Sequence, residues 1–230
     1  MSNIQTILSH GRPLVVGTLH EAKGISLLKT LASRRRHGVD LLEVRLDCIG
    51  TLRLPAAWPL PVIATARHPR EGGGGNLSSR ERGRLLLGSL PWASALDIEL
   101  RSARSLGPVI ASAHQHGLTV IISHHDFAAT PTLQSLQRLA SAASDAGADL
   151  FKVATMLRDQ RDLLRLIELQ SGATRVPVTA MGMGPAGRFS RLVLSGFGAP
   201  LCYGWLGKPQ VSGQWPALEL AELLARVLPA

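Results

Sequence analysis

Strand-like and helix-like segments alternate along the whole chain, and that alternation leaves few folds open. Short apolar runs at residues 14–19, 39–47, 61–67, 95–100, 118–125, 149–156, 176–183 and 201–206 read as strands. Helical patterns fill most of the gaps, over 21–37, 77–90, 104–116, 133–146, 160–170, 188–195 and 217–228. Gly38 stops the first helix, and Gly107 with Pro108 delays or bends the start of the third. Eight strand–helix units in 230 residues match a compact (β/α)8 TIM barrel. A doubly wound open sheet is the rival architecture. The count of eight, and polar residues gathered at strand ends, favour the barrel. About a dozen residues join Asp47 to Pro61, with Pro55 and Pro59 among them, so the second helix is expected to be a stub. The expectation is one barrel domain over 1–230, with a short N-terminal extension at 1–13 and a loop at about 207–215.

Composition narrows the function classes. Hydrophobic content of 45% supports a large core, and only 4% aromatic residues make that core aliphatic. No run of about 18 apolar residues suggests a membrane span, and residues 1–13 carry no signal-peptide pattern. Cys48 and Cys202 have no ligand-like spacing and suit a reducing cytoplasm. The net charge of +9 and the run Arg34-Arg35-Arg36 raise the question of nucleic acid. Those arginines sit near the C-terminal end of a predicted helix, where cations are favourable anyway. The other basic residues are scattered, so a small anionic substrate suits the charge better than a nucleic acid does.

The stretch 149–156 carries the chemistry. Strand alternation puts Phe151, Val153 and Thr155 on one side, and Lys152, Ala154 and Met156 on the other. A lysine inside a buried strand loses water, which lowers its pKa and frees the amine as a nucleophile. On 42–47 the three charges Glu43, Arg45 and Asp47 share one face; they serve either a substrate or an ion-pair network in the barrel floor. Asp97 and Glu99 share a face on the fourth strand, and Arg67 and Glu71 close the third. Ser123 and His125 point one way and His124 the other, so the doubled histidine cannot readily hold one metal ion, and no metal is expected. One of the two histidines suits general acid–base work. A lysine and a base in a barrel mouth suggest imine chemistry on a carbonyl. The arginines suggest a carboxylate or phosphate on the substrate.

These motifs together resemble the type I 3-dehydroquinate dehydratases, the family that performs the third step of the shikimate pathway. The matching pieces are Glu43-Val44-Arg45-Leu46-Asp47, Arg67 with Glu71-Gly72-Gly73, Asp97-Ile98-Glu99-Leu100 and Ser123-His124-His125-Asp126-Phe127. Phe151-Lys152-Val153-Ala154-Thr155-Met156, Met181-Gly182-Met183-Gly184, Ser190-Arg191 and Gly213-Gln214 complete the set. The resemblance implies that Lys152 forms a Schiff base with the substrate ketone, that His125 moves the protons, and that Glu71 supports His125. It implies Glu43, Arg45 and Arg67 around the substrate hydroxyls, Arg191 and Gln214 on its carboxylate, and Met183 and Phe127 as apolar walls. It implies a homodimer that needs no cofactor and acts on a small molecule, alongside the composition-based expectation of a cytoplasmic protein with no nucleic acid or membrane partner. The loop at 207–215 corresponds to the family's lid, usually Ser-Ala-Pro-Gly-Gln; here Gln210 stands in place of its serine and Ser212 in place of its proline. That departure keeps open a lyase or dehydratase for a related cyclic hydroxy acid. A non-catalytic protein binding a shikimate-like ligand is the alternative of another class.

Overall fold

The computed structural model describes residues 11–21, 38–52, 54 and 58–228. The helix expected over 21–37, with Arg34, Arg35 and Arg36, and most of the extension at 1–13 lie outside the described residues. Eight parallel strands form the sheet: β1 Leu14–Leu19, β2 Leu41–Arg45, β3 Val62–Thr65, β4 Ala95–Glu99, β5 Thr119–Asp126, β6 Leu150–Met156, β7 Val178–Met183 and β8 Leu201–Trp205. Their order is β7-β6-β5-β4-β3-β2-β1-β8, so the backbone ladder runs round a nearly closed barrel, with its seam between β7 and β8. At the seam the Leu201 amide donates to Thr179 Oγ1 at 3.2 Å, a side chain standing in for a ladder carbonyl.

The helices follow their strands: α1 Leu46–Ile49, α2 Ser79–Ser89, α3 Gly107–Gln115, α4 Leu133–Asp145, α5 Gln160–Ser171, α6 Gly187–Gly196 and α7 Ala217–Val227. Local sequence explains several starts. Ser78 and Glu81 form a reciprocal capping box on α2, and the Asp159 carboxylate caps α5 by accepting from the amides of Arg161 and Asp162. The four-residue α1 is the expected stub. Its position corrects one expectation: the second strand ends at Arg45 rather than at residue 47, and Asp47 lies in a helical turn.

Strand alternation divides the core in two. Outward residues such as Leu42, Val44, Leu96, Ile122, Phe151 and Val153 pack beneath Leu86, Leu136, Leu166, Leu194 and Leu220 of the helices. Inward residues begin with an apolar plug that includes Leu14, Leu41, Ile63, Ala95, Ile121, Leu150 and Leu201. Further along the strands the inward positions turn polar: Thr18, Glu43, Thr65, Asp97, Ser123 and Lys152, all at most 3% exposed. That is the end of a parallel barrel where ligand sites form.

Candidate active site

Lys152 projects from β6 into this polar layer and is 3% exposed. Its Nζ lies 2.9 Å from Asp97 Oδ2 and 3.3 Å from Glu43 Oε1, and 3.9 Å above the centre of the Tyr203 ring. The two carboxylates arrive from β4 and β2, so only barrel closure brings them to the lysine. Burial alone would raise the Asp97 pKa, but Arg67 and Lys152 overcome that and hold it below the usual carboxylate range. Glu43 is also held low, with burial opposed chiefly by Lys152. It accepts from Thr18 Oγ1 and Thr65 Oγ1, each at 2.9 Å, so both its oxygens are engaged.

Arg67 organises the floor. Its Nη1 donates to Asp97 Oδ1, Glu99 Oε1 and Ser123 Oγ at 2.9, 3.1 and 2.7 Å, and its Nη2 to Asp97 Oδ2 at 3.0 Å. Burial opposes its charge, but Asp97 and Glu99 outweigh that and raise its pKa. Arg82, 1% exposed, reaches in from α2 to Glu99 Oε2 at 2.8 Å and Ser102 Oγ at 2.9 Å. The result is an alternating row of buried charges: Arg82, Glu99, Arg67, Asp97 and Lys152. Such a row offsets the desolvation that each isolated charge would suffer.

Beside the lysine stands a histidine–carboxyl pair. Glu71 Oε2 lies 2.9 Å from the His125 amide and 3.0 Å from its Nδ1, while Arg101 Nε sits 2.8 Å from Oε1. Burial, helped by Glu99, pushes the Glu71 pKa up to about 7, against the pull of Arg67. Burial, together with Arg67 and Lys152, pushes His125 well below its ordinary value. The imidazole is therefore neutral at pH 7. With Nδ1–H donated to Glu71, Nε2 is the basic nitrogen; the tautomer follows from its partner. A 3-10 turn, Pro69–Glu71, leads into the glycine run at 72–75, and Glu71 is buried. Gly73 packs so closely that a Cβ there would come within 2.6 Å of the Arg67 carbonyl oxygen.

The remaining arginines differ in kind. Arg45 holds Asp47 in a two-point contact, at 2.9 and 2.7 Å, and donates to the Gly72 carbonyl at 2.8 Å. Asp47 is thus taken up in an ion pair with Arg45 and does not line the pocket beside Glu43 and Arg45. Among the described residues Arg191, on α6 and 3% exposed, donates only to backbone carbonyls: those of Tyr203 and Gly182 at 3.2 and 2.9 Å, Gly187 at 3.0 Å, and Gly213. Burial lowers its pKa to about 10. Among the described residues no carboxylate pairs with it. A buried cation without a counter-ion among the described residues, at the edge of a cavity, has the chemistry to take an anion.

One cavity of about 370 Å³ joins these groups. Eleven of the residues singled out in the sequence line it: Lys152, His125, Glu71, Glu43, Arg45, Arg67, Arg191, Gln214, Gln210, Met183 and Phe127. Sequence reasoning missed the direct partners of Lys152. The Asp97–Glu99 pattern was visible, but not its target; Tyr203 carried no signal of its own. Among the described residues no helix is long and apolar enough to cross a membrane.

Fold and cavity define a (β/α)8-barrel enzyme with a buried lysine at the centre of its mouth. The chain belongs to the type I 3-dehydroquinase family, whose model matches residues 18–227. It is 30% identical over 235 residues to a 3-dehydroquinate dehydratase of Methanococcoides burtonii, covering 97% of this chain and 98% of that one. It is 34% identical over 206 residues to the enzyme of that name from Methanosarcina barkeri, covering 81% and 85%. Among solved structures, the type I 3-dehydroquinate dehydratase of Clostridium difficile, a complex with covalently modified comenic acid, superposes with a TM-score of 0.81 at 25% identity. It covers 96% of this chain and 95% of that one.

Proposed function

We propose that this protein converts 3-dehydroquinate to 3-dehydroshikimate by an imine on Lys152. The observation that carries the reading is the buried Lys152 amine sharing one cavity with the His125–Glu71 pair and the unpaired Arg191. In the proposed sequence the Lys152 ammonium passes two protons to the ketone oxygen as its freed nitrogen adds to the ketone carbon, and that oxygen leaves as water. The nitrogen keeps one proton and a positive charge, which draws electrons from the neighbouring C–H bond. His125 takes that proton and the electron pair moves toward nitrogen as an enamine. The pair then returns, the C–O bond of the hydroxyl breaks, and His125 gives its proton to the departing oxygen. A second water hydrolyses the imine and restores the amine. Atoms balance as one water lost per substrate, with no external oxidant or reductant.

The other substrate-binding roles are those that the family resemblance implies. Arg191 and Gln214 hold the substrate carboxylate. Arg45, Arg67 and Glu43 bound the hydroxyl-bearing side of the ring, and Met183 and Phe127 cover its apolar faces. The Asp97 carboxylate keeps Nζ aimed into the cavity. We further propose a homodimer acting in the cytoplasm within the shikimate pathway, as the family resemblance implies; light scattering of the purified chain tests the dimer.

The deciding experiment incubates the protein with 3-dehydroquinate, follows the conjugated enone by ultraviolet absorbance, and traps with borohydride before peptide mass analysis. Turnover with an adduct on Lys152 supports the proposal. Turnover without an adduct removes the imine, and an adduct without turnover moves the true substrate elsewhere.

A further inference from the structure

The segment between β8 and α7 crosses the mouth of the cavity, with Pro209, Gln210, Val211 and Gln214 facing inward. Most of its hydrogen bonds fix its shape or its root. Gln214 Oε1 accepts from the amides of Gln210 and Val211 at 2.8 and 3.4 Å. The Gly184 amide donates to the Ser212 carbonyl at 3.3 Å, and Arg188 Nε to the Gln214 carbonyl at 3.2 Å. These contacts stay on the β7–β8 side of the barrel. Among the described residues two contacts reach the other way round the barrel, toward β1 and β2. One is Lys208 with Glu21 at 3.3 Å, with Lys208 73% exposed and so screened by water and salt. The other is Arg45 Nη1 donating to Gln210 Oε1 at 2.9 Å, from a residue only 6% exposed.

The Arg45 end of that contact is rigid before any ligand arrives. Asp47 grips the guanidinium at two points, and is itself held by the amides of Arg67 and Gly74 at 3.0 and 2.8 Å. A guanidinium can only donate, so the Gln210 atom facing it is the oxygen. The Gln210 amide nitrogen is then left with two donor hydrogens and no partner among the described residues. A serine at this position would place its oxygen two bonds from Cα, where the glutamine oxygen stands four bonds away.

We infer that Gln210 is a positioning residue that latches this loop to Arg45 in the ligand-free protein, closing the mouth before substrate binds and presenting its amide hydrogens to an acceptor on the ligand. The substrate class it favours carries an acceptor oxygen near Arg45. The inference rests on the proposed function only for the identity of that ligand; the latch itself is a property of the free chain.

Hydrogen exchange on the ligand-free protein tests it. The amides of Gln210 and Val211 are hydrogen-bonded within the loop, so their exchange reports its opening. Gln210→Ala and Gln210→Ser are expected to raise exchange over 208–214 by roughly tenfold or more, the range for a hydrogen bond to a charged partner. Gln210→Glu, which keeps an acceptor for Arg45, is expected to retain protection. Equal exchange in wild type, Ala and Ser variants overturns the latch, as does loss of protection in the Glu variant. With 3-dehydroquinate as probe, Gln210→Ala is expected to raise KM more than it lowers kcat, because closure must then be driven by binding. If the wild type shows neither adduct nor turnover yet the exchange result holds, the functional reading fails and the latch stands.

Discussion

The Lys152 ammonium and the Asp97 carboxylate meet at 2.9 Å across the barrel interior, from strands β6 and β4 that are not neighbours in the sheet. Both groups are buried, and Asp97 is shared with Arg67. The contact sets Nζ at the cavity floor, 3.9 Å above the Tyr203 ring. It also ties the lysine to the stability of the barrel, because the same carboxylate neutralises two buried cations.

Asp97→Asn is therefore expected to destabilise the fold by about 3–5 kcal/mol, the cost of removing one member of a buried ion pair. Denaturant unfolding at pH 7 measures it. The wild type should show the same dependence under acid. Asp97 and Glu43 have folded pKa values below their ordinary ones, so their stabilisation is present above about pH 4 and is lost as pH falls below that. An Asp97→Asn protein as stable as wild type at pH 7 would show that the charge row is not cooperative.

Replacing Lys152 by Met keeps most of the side-chain volume and removes the amine. Turnover should vanish and borohydride should leave no ligand mass on the chain. Substantial turnover by this variant would exclude an imine at Lys152. His125→Ala separates the later step: the adduct should still form, with turnover reduced by roughly 10²–10⁴-fold. Loss of the adduct as well would assign His125 to imine formation too.

Much of this site was legible because strand alternation is a strict rule. Lys152, Arg45 and His125 each occupy the inward phase of a strand, so a residue count along each strand finds them. The lysine's partners were hidden, since the chain separates Asp97 from Lys152 by 55 positions and only closure of the barrel joins them. The early end of β2 was hidden for a local reason. Residues 42–47 alternate apolar and charged throughout, yet Asp47 accepts from the amides of Arg67 and Gly74, and those bonds favour a turn over a further ladder step. Arg82 lies in the charged run Arg80-Glu81-Arg82-Gly83-Arg84, which reads as a solvated helix face. Its phase with the buried Leu86, four residues on, was the one available sign that it points inward.

The Glu71–His125 pair predicts a specific pH response. Glu71 has a folded pKa of about 7, so near neutrality it passes from protonated to ionised while His125 stays neutral. The ionised carboxylate strengthens Nε2 as a base, and activity should rise with pH through about 7. Glu71→Gln cannot ionise; its rate should stay near the low-pH level of the wild type and lose that limb. Stability should move the opposite way. A carboxyl with a raised folded pKa contributes stability below its unfolded pKa of about 4.5, and that contribution is lost as pH rises through 7. Glu71→Gln should thus gain on the order of 3 kcal/mol relative to wild type at pH 8. A limb that persists unchanged in this variant would belong to another group.

Arg191 provides the last test, because its four carbonyl partners orient the guanidinium but leave its charge uncompensated. If the substrate carboxylate supplies the missing anion, Arg191→Lys should keep the charge, lose the fork, and raise KM by roughly tenfold or more. Arg191→Ala should raise it further. That variant also frees the Gly182, Gly187 and Gly213 carbonyls, so loop exchange over 208–214 must be compared between the two variants. A KM rise shared by both, with extra exchange in the alanine variant alone, separates lost anion binding from a loosened loop. An unchanged KM in Arg191→Lys would place the carboxylate elsewhere in the cavity. Product affinity gives an independent measure: binding of 3-dehydroshikimate should weaken in parallel with KM, since the carboxylate is the same before and after water leaves.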